Sequence, residues 1–107
     1  MFIAWLLPVT LQYDIEQRAK VFDALSDPTR LRIVELLTQT AELSGSEIAN
    51  RVDISLALFC HHSKTLIEAG LVQVRKEGQT KYHSLNRGFL TTCFASLGLE
   101  VNGEGEG

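Results

Sequence analysis

Residues 44–70 read SGSEIANRVDISLALFCHHSKTLIEAG, and this stretch decides the fold. Ser44 and Glu47 have the S-x-x-E spacing of a capping box, in which hydroxyl and carboxylate each satisfy a backbone N–H left open at a helix start. They open a short helix, GSEIANRV, with Ile48, Ala49 and Val52 turned inward. Asp53 and Ile54 leave room only for a tight turn. Ser55 is then a second N-cap, and a longer helix runs to Ala69 with Gly70 at its C-terminal cap. Two short helices joined so closely make a helix-turn-helix. The second helix opens on Leu56, Ala57 and Leu58 and continues into Cys60, His61 and His62. Metal binding, redox chemistry, core packing and nucleic-acid reading all stay open for that cluster until its faces are assigned.

Upstream, Ile15, Ala19, Phe22 and Leu25 recur at helical spacing in DIEQRAKVFDAL, predicting a first helix with one apolar face that ends at Ser26. Asp27 caps the next helix and Pro28 occupies its first position, where a missing N–H costs nothing. Leu31, Ile33, Val34, Leu36 and Leu37 form its buried stripe. Downstream of Gly70, Leu71–Arg75 and Thr80–Leu85 alternate like strands around a turn at Glu77-Gly78-Gln79, a hairpin in the position of a wing. A last helix over roughly 88–97 lines up Phe89, Leu90, Cys93, Phe94 and Leu97.

These pieces divide the chain into an apolar N-terminal arm (1–14), a domain over 15–97 and a flexible Gly/Glu tail (98–107). A length of 107 residues, 45% hydrophobic and 21% charged, fits one globular domain with a modest core, the kind a second copy often completes. The opening MFIAWLLPV lacks a basic leader, is broken by Pro8 and is far shorter than the roughly 20 residues that span a bilayer, so it reads as an arm that packs on something. No membrane partner is expected. Two cysteines, Cys60 and Cys93, without secretion features argue for a reducing cytoplasm rather than a disulfide scaffold.

The net charge of −3 argues at first against a nucleic-acid partner. Its distribution argues the other way. Residues 1–54 hold five basic and eight acidic side chains, 55–88 hold five basic and two acidic, and 89–107 hold three acidic and none basic. The positive block coincides with the second helix of the motif and the hairpin.

ALSDPTRLRIVELL, then SEIANRVDIS, CHHSKTLIEAGLV and KEGQTKYHSLN, in this order and at these separations, resemble the ArsR/SmtB family of winged-helix bacterial repressors over residues 15–97. The fold class is thus mainly α (α+β): a winged helix-turn-helix with a two-stranded β-hairpin wing. The resemblance implies a homodimer joined through the first and last helices, with its two reading helices in successive major grooves of double-stranded operator DNA. Phe2, Trp5 and Leu6 of the arm and Phe89, Leu90, Cys93, Phe94 and Leu97 of the last helix suit that interface.

Helical geometry assigns the faces of the cluster. At 100° per residue, Phe59, His62, Ser63 and Leu66 share one side and pack, while Ala57, Cys60, His61 and Lys64 share the other and read. His62 is accordingly a packed, hydrogen-bonded histidine rather than a ligand. Lys64 can reach a phosphate or a guanine, His61 can donate or accept, Ala57 can touch a thymine methyl, and Ser55 can meet a phosphate. Leu56, Ala57 and Leu58 stand where the family usually carries polar residues, so base reading is expected to be lean. Arg75, Lys76 and Lys81 of the wing are expected to supply a larger share of the affinity. Asp53 replaces the glycine common in such turns.

In the family, metal sensors bind through cysteines in the first helix of the motif or through His and carboxylate pairs on the last helix. Ser44 and Ser46 stand in the first place, and the last helix has no histidine and no carboxylate before Glu100. No metal site and no cofactor are expected. A thiol switch centred on Cys60, with Cys93 as a second candidate, is the livelier route for a signal, against the plainer reading of two small packing residues. An enzymatic reading fails, because neighbouring residues on a helix diverge by about 100° and no acid is spaced to orient a base. A dimerising adaptor without DNA reading is the alternative from another class, and a metal-sensing repressor with a non-standard site, built from Cys60, His61 or His83 with Cys93 of either protomer, is the other. Operator, regulated gene and effector are not written in the sequence.

Overall fold

The computed structural model describes residues 15–98; the arm at 1–14, with Phe2, Trp5 and Leu6, and residues 99–107 of the tail lie outside the described residues. Helix α1 covers residues 15–25, followed by α2 (Pro28–Leu37), strand β1 (Leu43–Ser44), α3 (Gly45–Arg51), α4 (Leu56–Glu68), β2 (Val72–Glu77), β3 (Thr80–Leu85) and α5 (Arg87–Ala95). The expected motif is therefore α3 and α4, and the expected wing is β2 and β3.

The wing belongs to a three-stranded antiparallel sheet of order β1-β3-β2, one strand more than the expected hairpin. β1 contributes only Leu43, paired with His83, and Ser44, paired with Tyr82. Two residues carry no alternation to read. Leu43 is buried, so the short strand closes the sheet onto the core and delivers Ser44 directly into the cap of α3.

The core gathers Val21 and Ala24 of α1, Ile33, Val34 and Leu37 of α2, Ile48 and Ala49 of α3, Phe59 and Leu66 of α4, then Leu71, Val72, Leu85 and Cys93. Full burial of side chains such as Phe59, Ile33 and Leu66 contributes about 1.5–3 kcal/mol each. Two expected stripes turn out differently. Leu31 is 42% exposed, because α2 buries Ile33, Val34 and Leu37 and carries Leu31 round to its outer side. On α1 it is Val21 and Ala24 that face the core, leaving Ile15 and Phe22 of the apolar stripe exposed.

Helix ends follow the sequence closely. The Asp27 carboxylate accepts from Arg30 N–H at 3.0 Å with Pro28 at the first position. Asn86 caps α5 by accepting from Phe89 N–H at 3.3 Å, which starts the last helix at Arg87. Arg87, counted in the positive block of the sequence, lies back against the end of α2: its Nη2 donates to the carbonyls of Leu37, Thr38 and Thr40 at 3.1, 3.0 and 3.3 Å. A guanidinium thus satisfies the open carbonyls at the end of α2, where the helix dipole favours a cation.

Candidate nucleic-acid interface

The geometry of the α3–α4 pair is set at three capping points. Ser44 Oγ accepts from Glu47 N–H at 3.2 Å while Glu47 Oε1 accepts from Ser44 N–H at 2.9 Å, the reciprocal pair of a capping box. The turn is a Schellman closure, with Ile54 N–H donating to Ala49 O at 2.9 Å and Asp53 N–H donating to Asn50 O at 3.3 Å. It places Asp53 at φ 61°, the left-handed position that glycine holds at least strain. Ser55 Oγ then accepts from Leu58 N–H at 3.0 Å and starts α4.

The far end of α4 closes in the same way. Gly70 N–H donates to Ile67 O at 2.9 Å and Leu71 N–H donates to Leu66 O at 3.0 Å, with Gly70 at φ 85°. A Cβ at Gly70 would stand 3.1 Å from the Phe89 ring, so this turn also sets how closely α5 approaches the reading helix.

The two faces of α4 divide as the helical wheel predicts. Phe59, His62, Ser63 and Leu66 are buried, and Ala57, Cys60, His61 and Lys64 are exposed together with Ser55, Leu56 and Leu58. Phe59 packs edge-on against His83 of β3 at 4.9 Å between centroids, pinning the helix to the sheet. His62 meets α2: its Nδ1 lies 3.3 Å from Arg30 Nη1 and 3.9 Å from the Asp27 carboxylate. Arg30 is itself anchored through Nε on Ala24 O at 2.7 Å. The Asp27 carboxyl is held below its ordinary range, first by its bond from Arg30 N–H and also by the charge of Arg30 and by His62.

On the wing the cations divide into two kinds. Arg75 donates to Glu42 and to Glu77 Oε1, the latter at 2.7 Å, and stacks over Tyr82 at 4.9 Å. Those two carboxylates raise its pKa further, and Arg75 lowers that of Glu42. Its charge is therefore balanced within the protein, a feature invisible in the sequence because Glu42 lies 33 residues away. Lys76 and Lys81 are exposed, and neither forms an ion pair among the described residues. They are cross-strand partners.

Of the residues expected at the dimer interface, Leu97 is 50% exposed, Phe89, Leu90 and Phe94 are half-buried, and Phe94 meets Phe22 of α1 edge-on at 5.9 Å. Cys93 is accounted for within its own chain, 2% exposed in the core. Cys60 is exposed on the outer face of α4.

A helix-turn-helix domain family model matches residues 25–75. The chain is 43% identical to a cadmium resistance transcriptional regulatory protein CadC homolog of Staphylococcus aureus, over 64% of this chain and 56% of that protein, so it spans little more than half of that relative's length. It is 38% identical to the transcriptional repressor SdpR of Bacillus subtilis, over 62% of this chain and 72% of the repressor. Among solved structures, the homodimeric winged helix-turn-helix DNA-binding domain of Mb0332 from Mycobacterium bovis, a possible ArsR-family regulator, superimposes with a TM-score of 0.71 at 29% identity. That superposition covers 80% of this chain and 79% of that one. The chain belongs to the ArsR/SmtB family of winged-helix transcriptional regulators.

As an ArsR/SmtB protein it departs from the family's metal sensors at the start of the motif. Ser44 and Ser46 replace soft thiolates with hydroxyls, poor partners for soft metals. Ser44 is moreover committed to the capping box. Among the described residues, no three His, Cys, Asp or Glu side chains gather as a metal ion would need. No helix among them is long and apolar enough to cross a membrane.

Proposed function

We propose that the protein is a cytoplasmic, homodimeric, sequence-specific DNA-binding regulator, a repressor that leaves its operator when a signal arrives. The observation that carries this reading is the outer face of α4. Cys60, His61 and Lys64 stand exposed on a helix fixed at both ends by caps, beside a wing that presents Lys76 and Lys81. A helix so held can enter a major groove while the wing holds the backbone. The first turn, with Leu56 50% exposed and Leu58 42% exposed, leaves direct readout to few side chains. Specificity then rests on His61, Lys64, Ala57 against thymine methyls, and the shape of the site. Ser55, whose oxygen caps the helix, still has its hydroxyl proton to donate to a phosphate.

The dimer is proposed to form on α1 and α5, where Ile15 and Phe22 of α1 and Leu97, just past the end of α5, expose apolar surface in the single chain. That the mycobacterial neighbour is homodimeric supports a pairing of two chains. For the signal, the exposed thiol of Cys60 on the reading face favours oxidation, which would put bulk or charge against phosphate. Cys93, buried, takes a structural role in this reading.

The test is binding to the DNA just upstream of the protein's own gene against unrelated DNA. Samples are reduced, peroxide-treated, or supplied with zinc or EDTA, across a range of salt. A specific complex with a steep salt slope that is lost on oxidation is the expected result. Loss on zinc alone would point to a metal effector, and equal weak binding to all DNA under every condition would favour a dimerising adaptor.

A further inference from the structure

The reading helix and the wing do not meet along their full length. Between them lies a cleft of about 830 Å³, within the range of small-molecule sites. Leu56 and Ile67 of α4 and Val74 of β2 form its walls, and Phe59 and His83 line it as well. Leu56, Ile67 and Val74 are 50%, 40% and 41% exposed, an amount of apolar surface that a phosphate backbone has no use for. His83 is 5% exposed, and its Nδ1 is buried without a hydrogen-bond partner among the described residues, an uncompensated polar atom beside an apolar space.

The charged groups of the cleft are Lys64 of α4, Lys81 of β3 and Glu68 near the end of α4. None of the three is ion-paired among the described residues. Two cations and one carboxylate favour a singly charged anion over a dianion, and the apolar walls favour a carbon body behind it. Such a molecule would remove Leu56, Ile67 and Val74 from water while its head meets the lysines.

We propose that this cleft binds a small monocarboxylic acid with an apolar body, and that the bound acid excludes DNA by occupying the space between reading helix and wing. The exclusion is direct, because Lys64 and Lys81 are the side chains assigned to DNA and cannot serve both partners. The regulatory half of the proposal rests on the DNA-binding reading above; the ligand-binding half does not.

The experiment uses the full chain, kept reduced, with decanoate as probe and decan-1-ol as its uncharged counterpart. Binding is read without DNA by displacement of anilinonaphthalene sulfonate fluorescence. Saturable displacement by decanoate, weaker by decanol, and reduced about tenfold by Ile67→Ser or Val74→Ser is the expected result. Both variants change exposed side chains outside the assigned DNA contacts, and the two check each other should one fold poorly. With upstream DNA present, decanoate at ten times its own dissociation constant should raise the apparent DNA dissociation constant about 120-fold, an elevenfold factor from each of the dimer's two clefts, and continue upward without a plateau. Absence of saturable displacement, or displacement that both variants leave unchanged, overturns the site. A plateau in the DNA titration overturns direct exclusion. Absence of DNA binding in every condition counts against the regulatory half, while the displacement titration still decides the site.

Discussion

Lys76 and Lys81 face each other directly across β2 and β3, both exposed and neither ion-paired among the described residues. Like charges opposed on one face of a hairpin destabilise it, and an anion lying between them reverses the sign. The wing is therefore expected to be steadied by an anion, and in the proposed function that anion is the phosphate backbone. Lys81→Gln should leave the free protein as stable as before or a few tenths of a kcal/mol more stable. The same change should weaken binding to specific and unrelated DNA alike and make the log–log salt slope shallower by roughly 0.9 for each protomer, about 1.8 for the dimer. Paired titrations between 50 and 200 mM salt check this; a loss confined to one sequence would make Lys81 a base reader instead.

Arg75 adjoins Lys76 along β2 but on the other face of the hairpin, opposite Tyr82, with its guanidinium engaged by Glu42 and Glu77. Removing Glu42 should therefore release a cation toward DNA. Glu42→Gln is expected to tighten binding to all DNA and steepen the salt slope, whereas Arg75→Ala should cost less affinity than Lys81→Gln. A Glu42→Gln protein that binds no more tightly would show that Arg75 lies off the DNA path.

The outer face of α4 should behave differently from the wing. His61→Ala and Lys64→Ala are expected to narrow the gap between operator and unrelated DNA, by about 1–3 kcal/mol where a bidentate base contact is lost. Competition binding with single-base operator variants measures it. Equal losses on every sequence would transfer these residues to the backbone-holding set.

Much of this was legible because caps and periodicity are local. Ser44 with Glu47, Asp27 with Pro28, and Ser55 with Gly70 announce their helices within a few residues, and the 100° step separates Phe59 and His62 from His61 and Lys64. What escaped depends on contacts distant in sequence. β1 exists only because Leu43 and Ser44 find His83 and Tyr82. Arg75 and Arg87 read as two cations of a positive block, yet one is balanced by Glu42 and the other caps α2. Leu31 looked like core because a stripe of five apolar positions is wider than the face α2 buries.

The two left-handed residues that frame the reading helix should respond with opposite sign. At Asp53, φ 61° is held against the preference of a side chain, so Asp53→Gly should stabilise the fold by about 0.5 kcal/mol after the added chain entropy of glycine. At Gly70, φ 85° and a 3.1 Å approach to Phe89 both oppose a methyl, so Gly70→Ala should cost about 1–2 kcal/mol. Urea midpoints decide both. Equal responses at the two sites would mean that something other than backbone conformation sets their cost.

His83 gives the fold a pH dependence whose direction can be worked out. Burial pushes its imidazole below the ordinary 6.5, the Lys81 charge adds to that, and the Leu43 backbone opposes it in part. A folded-state pKa below the unfolded one means that, as pH falls through about 6.5, the unfolded chain takes up a proton that the folded ring resists. This group therefore leaves stability level above neutrality and lowers it as pH drops from 6.5 toward the depressed folded value. His83→Gln removes the titration while keeping a polar side chain beside Phe59. The urea midpoint of the native protein should be lower at pH 5.5 than at pH 7.5 by up to one proton's linkage, and the variant should narrow that difference. An undiminished difference in His83→Gln would place the acid-sensitive group elsewhere.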